Sequence, residues 1–564
     1  MDDHFISEFH LTDKLKNNQK IKIKFFCGSN SYKNQLHLNP SYWVLKSWYK
    51  RHGSNNHKIE WLPAEFNNDR LNISTLDNKL KKEQPDIICF SIYLWNHEIY
   101  DRLGRFIKEK YPHIIMIGGG AQVYAHKDLS LFWKNYPWLD CAVYGDGEDS
   151  FRILVDSIID SSAVNDVATN LSFMRSNQAI LKPFKRFKDK DFKKVSHFLD
   201  NKQEIIESVR DLRKEDPNLE IIANYERVKG CPYKCTFCDW SSGLHNKLNI
   251  KEHDWKQDLD FLSSIDVSPR LVDANLGMFK EDIEVVKYII DLERSNPNIK
   301  SLAYGNQAKL HKKAVMEIID IIEAARPGER SHTFSIQDIN EDVLLNIDRP
   351  DIPWIELKEM IQSLKDKHDT FRFKIEVMLG LPGQTIQNFA NMLNEFTHLQ
   401  PRGMIGHIWD LLINSPAYDK DYQKKYGLRI EQAMHVRSLP SGISNKQDIL
   451  DKIDGVIGYG SDVILGTSTA TIADIMSMVS MVWTFDSLLS KDRRFSDKIF
   501  SKLFNNLDFW QTLGDELAQD LEADKARYGK MILAVSDRGR VRTYADYFSD
   551  KEILTKVIQG TYKV

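Results

Sequence analysis

The sequence is poor in cysteine, in long apolar runs and in any excess of one charge, and each shortage excludes a class of protein. Only six cysteines occur in 564 residues, and they form no paired framework of the kind that staples small secreted domains. A reducing cytoplasm is the compartment to expect. Met1 to Lys20 is polar and charged, so no secretory signal is expected there. The longest apolar stretch, Val463 to Trp483, is interrupted by Asp474 and by many Ser and Thr residues. Within it Thr471 and Asp474 form a capping box that would start a soluble helix. No membrane span is expected. Lysine and arginine total 77 against 80 acidic residues, a formal net charge of −3. A protein that coats nucleic acid would be strongly basic, so no nucleic-acid partner is expected.

What remains is an ordinary globular composition, 42% hydrophobic and 28% charged, in a chain too long for one core. Residues 1–165 read as a first α/β domain. Its strand candidates are Ile21–Cys27, Lys58–Leu62, Asp86–Ser91, His113–Ile117 and Asp140–Tyr144, with helical patterns such as Tyr42–Arg51 and Glu98–Lys110 between them. That alternation predicts a Rossmann-like parallel sheet covered on both faces, with ligands at the carboxyl ends of the strands. Ser91, the Gly118–Gly119–Gly120 run and Gly145-Asp146-Gly147-Glu148 fall at those ends. Residues 166–220 read as a linker. Lys182 to Lys194 carries seven basic residues interleaved with Phe184, Phe187 and Phe192. A single-strand nucleic-acid platform has that look, but a solvated linker pinned by its aromatics is the reading adopted.

A second series occupies 221–416. Its strands are Ile221–Val228, Leu271–Asn275, Ser301–Asn306, His332–Gln337, Phe373–Leu379 and Met404–Ile413, separated by helices such as Lys280–Arg294, Lys312–Ala325, Ile355–Lys367 and Ile386–Leu399. Six βα units in this length predict a partial (β/α)6 barrel. Residues 417–564 read as a mostly helical C-terminal region that could contact a substrate.

Directly after the first strand of the second series lies Gly-Cys231-Pro-Tyr-Lys-Cys235-Thr-Phe-Cys238-Asp. Three thiolates on one short loop can hold three irons of a 4Fe–4S cubane and leave the fourth iron open to a chelating ligand. A structural zinc site would need a fourth ligand. No second Cys pair exists, and His245 is only a weak candidate. Cys27, Cys89 and Cys141 sit in apolar strand runs and read as buried thiols.

The Cys-x-x-x-Cys-x-x-Cys spacing with Phe237 before the last cysteine resembles the radical S-adenosylmethionine (SAM) superfamily. Further segments extend the resemblance. Gly380-Leu-Pro-Gly-Gln384-Thr385 after the strand Glu376-Val-Met-Leu is similar to that family's Gly-x-Pro-Gly-Glu-Thr turn, with Gln384 in place of Glu. Ser335-Ile-Gln337 resembles its fourth-strand segment, and Asp273-Ala-Asn275 ends strand two. The resemblance implies that Cys231, Cys235 and Cys238 ligate the cluster. It also implies that Phe237, Asp273, Asn275, Gln337 and Glu376 lie against SAM, and that SAM is cleaved to a 5′-deoxyadenosyl radical. A low-potential donor such as flavodoxin or ferredoxin would supply the electron.

The first domain resembles the cobalamin-binding domain that precedes many such barrels. The similarity lies in Pro85-Asp-Ile-Ile-Cys-Phe-Ser91 followed by Tyr93-Leu-Trp95-Asn96, in Met116-Ile-Gly118-Gly119-Gly120, and in Val143-Tyr144-Gly145-Asp-Gly147-Glu148. It implies that these strand-end residues face cobalamin, with Trp95 and Asn96 toward the lower face. The Asp-x-His-x-x-Gly loop that supplies a histidine to cobalt elsewhere is absent, so no such ligand is expected. Together the two resemblances, which cover residues 21 to about 420, imply a cobalamin-dependent radical SAM methyltransferase acting on an unactivated carbon of a small molecule or peptide. Two alternatives stay open. One is a cyclase or rearrangement enzyme with the same cofactors, and the other is a non-enzymatic sensor or nucleic-acid-binding module built around a structural metal.

Overall fold

The computed structural model describes residues 11, 14, 17–29, 34–68, 71–123, 130–160, 169–175, 178–185, 192–241, 248–299, 311–349, 352–436, 458–491, 497–534 and 556. The chain divides into two compact units. One comprises Met1–Gly230, Gly243–Asp273 and Asp291–Gly305, and the other Cys231–Ser242, Ala274–Ile290 and Asn306–Val564.

In the first unit the strands are β1 (Ile21–Ser29), β2 (Gln35–Leu38), β3 (Ile59–Trp61), β4 (Glu65–Asn67), β5 (Ile87–Ser91), β6 (Ile115–Gly119), β7 (Cys141–Val143), β8 (Leu171–Arg175) and β9 (Gln178–Leu181); β1, β3, β5, β6 and β7 lie at the five expected positions, and β2, β4, β8 and β9 are additional. The main sheet runs β3-β1-β5-β6-β7-β8-β9, with β4 also on β1. Pairing is parallel through β7 and antiparallel for β8 and β9. Phe25, Cys89, Ile117 and Cys141 form one row across four strands. All five residues of β5 are buried, as a strand covered on both faces requires. Cys27, Cys89 and Cys141 are buried thiols; burial raises each pKa above its ordinary value, which makes them inert. The segment 166–220, expected as a linker, carries the β8–β9 hairpin and the helices His197–Asp200 and Lys202–Glu215. Hydrogen bonding to the open edge of β7 gives this polar stretch its strands.

The same unit holds β10 (Glu220–Tyr225), a short antiparallel pair β11 (Val228–Lys229) and β12 (Asn249–Ile250), and β13 (Ser268–Leu271). Their sheet has the order β13-β10-β2 and is parallel. β2 therefore leaves the N-terminal stretch and pairs with the first strand of the second series, where Gln35 Nε2 donates to Glu220 at 2.8 Å. β13 ends at Leu271, earlier than the expected Leu271–Asn275. Val272 N still donates to Tyr225 O at 3.0 Å, but the Asp273 carboxylate then turns back onto backbone N–H groups and the ladder stops.

In the second unit β14 (His332–Gln337), β15 (Phe373–Leu379) and β16 (Gly403–Ile408) form a parallel sheet in that order. Five of the six expected barrel strands are thus described; Ser301–Asn306 lies outside the described residues. The C-terminal region is dominated by helices Ile472–Lys491, Asp497–Phe504 and Leu507–Tyr528, and it adds a sheet not foreseen from its sequence: β17 (Arg429–Val436), β18 (Gly458–Gly466) and β19 (Met531–Ala534). β18 is stitched to the end of β16, since Leu411 N donates to Asp462 O at 2.8 Å and Ile464 N to Trp409 O at 2.9 Å. The capping box is present, with Thr471 N on Asp474 Oδ2 at 2.7 Å and Asp474 N on Thr471 Oγ1 at 3.2 Å. Among the described residues no helix is long and apolar enough to cross a membrane.

Candidate functional site

The cysteine loop is held largely through its backbone. Gly230 takes φ +101°, a conformation that favours glycine, and the chain turns there into Cys231. Thr236 is gripped on both sides, because its N donates to Ile347 O and its O accepts from Ala417 N, each at 2.9 Å. Tyr422, whose hydroxyl lies 2.9 Å from Thr236 Oγ1 and donates to Asn346 O, locks the same point. Ser241 Oγ sits 2.6 Å from the carbonyls of both Cys235 and Cys238. Cys235 is 7% exposed, whereas Cys231 and Cys238 are partly exposed.

Among the described residues no three His, Cys, Asp or Glu side chains converge on one point, as a closed zinc site would require. Three thiolates on one loop are the donor set that a cubane takes, one at each of three irons. Asn275 Nδ2 donates to Cys231 Sγ at 3.2 Å. Phe237 packs against the buried cluster that contains Val343, Ile347, Leu381 and Trp409, with the Arg349 guanidinium 5.9 Å from its ring centre. Arg349 also donates to Ser335 O. Nothing in its Asp-Arg-Pro context flagged that role. Burial pushes Asp239 up to about 6 against a hydrogen bond from Asn414.

The remaining SAM candidates differ in surroundings. Gln337 ends β14 with φ +66° and is buried. Glu376 accepts from Ser335 Oγ and lies 2.8 Å from His407 Nε2. Asp273, in the first unit, is 4% exposed, and its Oδ1 accepts from Arg227 N at 2.7 Å and Val228 N at 3.0 Å. It is a clamp on the turn that precedes the cysteines. Gln384 accepts from Gly380 N and Leu381 N at 3.0 and 2.9 Å, and donates to Asp338 at 2.7 Å and Met378 O at 2.9 Å. A Glu there would face Asp338 with no proton to give, which accounts for the amide. Asp410, His435 and Ser461 form a further group that spacing did not reveal: His435 Nε2 lies 2.8 Å from Asp410 and 2.7 Å from Ser461 Oγ. Both partners meet the same ring nitrogen, so the trio is not a relay of the Ser-His-Asp type.

In the first unit the strand ends β1, β5 and β6 converge. Asn96 Nδ2 donates to Gly28 O and Ser91 O at 3.2 and 3.1 Å, and Ile92 N donates to Gly119 O at 2.6 Å. A Cβ on Gly120, at φ +98°, would fall 2.5 Å from Ile92 O, so only glycine allows that approach. Gly118 lies under Leu139, whereas a Cβ on Gly119 would meet nothing nearer than Val143 O at 3.7 Å. Trp95 is 38% exposed and stacks on Tyr93 at 4.5 Å and 8°, a flat apolar plate. Asn96 and Tyr144 point inward: Asn96 is 1% exposed, and the Tyr144 hydroxyl donates to Lys182 O. Phe184 covers Gly145, and Gly147 precedes the helix that begins at Glu148.

Residues 52–155 match the B12 binding domain family. The chain is 25% identical over 369 residues, 63% of its length, to the cobalamin-dependent radical SAM methyltransferase TokK of Streptomyces tokunonensis, of which the match covers 51%. It is 26% identical over 353 residues, 61% of its length, to the 2-(S-pantetheinyl)-carbapenam-3-carboxylate methyltransferase of Streptantibioticus cattleyicolor, covering 50% of that protein. Over about three fifths of its length the chain resembles cobalamin-dependent radical SAM methyltransferases. It spans about half the length of the curated relatives it matches. A likeness in fold to two solved structures extends over nearly the whole chain. OxsB with aqua-cobalamin bound superposes with a TM-score of 0.58 at 12% identity, covering 98% of this chain and 82% of OxsB. TsrM from Kitasatospora setae, with cobalamin and a [4Fe-4S] cluster bound, gives 0.56 at 11%, covering 90% and 100%.

Proposed function

We propose that this protein is a cobalamin-dependent radical SAM methyltransferase acting on an unactivated carbon of a small molecule or peptide. The observation that carries the reading is the anchored three-thiol loop with Asn275 on Cys231, in a chain whose residues 52–155 match the B12 binding domain. The names of the relatives support the methyl-transfer step, and one TsrM structure carries a tryptophan substrate. Cys231, Cys235 and Cys238 would hold the cluster. When bound, the cluster supplies an electron to SAM and cobalamin supplies the methyl group. The chain's own part is to bind, orient and exclude water. Asn275 stabilises thiolate charge on Cys231, and a hydrogen bond to a cluster sulfur is one determinant of potential. Phe237, Gln337 and Glu376 are the residues we assign to the SAM side, with Asp273 holding the turn that precedes the cysteines. Ser91, Trp95 and the glycines 118–120, 145 and 147 are assigned to the cobalamin side, the Tyr93–Trp95 plate giving flat contact and Asn96, Tyr144 and Glu148 holding the loops.

The test is anaerobic reconstitution followed by incubation with SAM and a reductant. Mass spectrometry should find 5′-deoxyadenosine, and added cobalamin should co-purify with the chain. Absence of deoxyadenosine from an iron-loaded protein would sink the radical SAM activity. Absence of cobalamin would sink methyl transfer alone.

A further inference from the structure

The turn between β10 and β12 gathers charged groups, of which only Asp273 and Glu148 have so far been given a role, each as a brace for its own loop. Lys229 pairs with Asp146 at 2.7 Å and reaches Glu148 at 3.9 Å. Glu148 is 5% exposed, and among the described residues its Oε2 is buried with no hydrogen-bond partner. The same holds for Oδ1 of Asn249, which stands opposite Lys229 in the β11–β12 ladder. Leaving such acceptors empty costs about 1–3 kcal/mol each.

Glu226 and Lys251 complete the group. Both are half-buried, and each feels the other's charge. Yet among the described residues neither the carboxylate of Glu226 nor the ammonium of Lys251 has a hydrogen bond or ion pair. The frame around them is rigid: Asp273 clamps Arg227 N and Val228 N, and Lys251 N donates to Arg227 O at 3.0 Å.

Charge selects the ligand. Five carboxylates (Asp146, Glu148, Glu226, Asp258, Asp273) stand against three cations (Arg227, Lys229, Lys251). A phosphate would be repelled by that excess, and a lone cation would leave Lys251 unmatched. We propose that Glu226, Glu148 and Lys251 bind the zwitterionic head group of an α-amino acid, its ammonium on the two carboxylates and its carboxylate on Lys251. Burial first, with Asp273 and Glu148 adding to it, pushes Glu226 up to about 7 against the pull of Lys229 and Lys251; a bound ammonium would offset that burial. As a binding site this stands on the residues named. As a statement of substrate class it rests on the methyltransferase reading.

The test is calorimetric titration of the reconstituted full chain, without SAM because SAM carries the same head group. The probes are the L-α-amino acids Leu, Phe, Trp, Lys and Gln, each beside its amide and its N-acetyl derivative. At least one amino acid should bind, with both derivatives at least tenfold weaker. Glu226→Gln and Lys251→Met should each weaken that amino acid at least tenfold, while the exposed Lys82→Met leaves it unchanged. The derivative series is read on the parent protein and so does not depend on any variant folding. If no probe binds at 5 mM, or if the derivatives bind as well as the parent amino acids, the site assignment falls. Deoxyadenosine formation is scored separately. Its loss with amino-acid binding intact would remove the enzymatic reading and leave the site.

Discussion

Replacing Gln384 by Glu would make the turn match the Gly-x-Pro-Gly-Glu-Thr pattern it resembles, and it should nevertheless destabilise this chain. The amide is 1% exposed and makes four hydrogen bonds, two as acceptor from Gly380 N and Leu381 N and two as donor to Asp338 and Met378 O. A glutamate keeps the acceptors and loses the donors. Burial already raises the Asp338 carboxyl above its ordinary range, so a second carboxylate at hydrogen-bond distance must take up a proton to stay. Holding a carboxyl of ordinary pKa near 4.3 neutral at pH 7 costs roughly 3–4 kcal/mol. Its single proton can serve only one of Asp338 and Met378 O, and the abandoned acceptor adds about 1–3 kcal/mol. The introduced acid has a folded pKa above its unfolded one. The penalty is therefore smallest below about pH 4 and grows by up to about 1.4 kcal/mol per pH unit as pH rises. Urea midpoints at pH 5 and pH 7, followed by circular dichroism, should show a loss of about 4–7 kcal/mol at pH 7 and clearly less at pH 5. Adding Asp338→Asn to Gln384→Glu gives the introduced carboxylate a donor and should recover most of the loss. A variant as stable as the parent at pH 7, or a loss equal at both pH values, would refute this account.

Cys231→Ala, Cys235→Ala and Cys238→Ala should each abolish deoxyadenosine formation, while Cys27→Ala, Cys89→Ala and Cys141→Ala keep it and lose only packing; mass spectrometry after reconstitution distinguishes the two groups. Asp273→Ala strands two buried N–H groups and should cost about 2–4 kcal/mol in thermal or urea unfolding, whereas Asp273→Asn keeps an acceptor and should recover at least half. Gly514→Ala would put a Cβ 2.1 Å from Ser477 Oγ and 2.2 Å from Ala473 O, so it should destabilise by about 1–3 kcal/mol despite the better helix propensity of Ala. Trp95→Ala, at a half-exposed ring, should change the urea midpoint by less than about 1 kcal/mol and lower cobalamin retention on gel filtration at least tenfold.

Some of this protein was legible in one dimension because the physics behind it is local. Continuous apolar runs such as Ile87–Ser91 bury on both faces wherever they lie, so β1, β3, β5, β6 and β7 could be placed before any contact was known, whereas β4, β8 and β9 could not. His332–Gln337, Phe373–Leu379 and the helix Ile386–Leu399 have the bounds read from their periodicity. The three thiols and the Thr471–Asp474 cap depend on spacing along one short segment, and spacing is what a sequence records. Tertiary structure decided what depends on partners far away in the chain. β2 joins β10 across 185 residues, a pairing no local pattern announces. Asp273, Asn96 and Tyr144 sit at strand ends, where ligand contacts were expected, yet distant backbone groups claim their polar atoms. β17 and β18 are strands because each offers the other a ladder and β18 also meets the end of β16; their composition alone competes poorly with the helices beside them. Glu226 and Lys251 are 25 positions apart in sequence, and only the hairpin that aligns Arg227 with Lys251 brings their charges together.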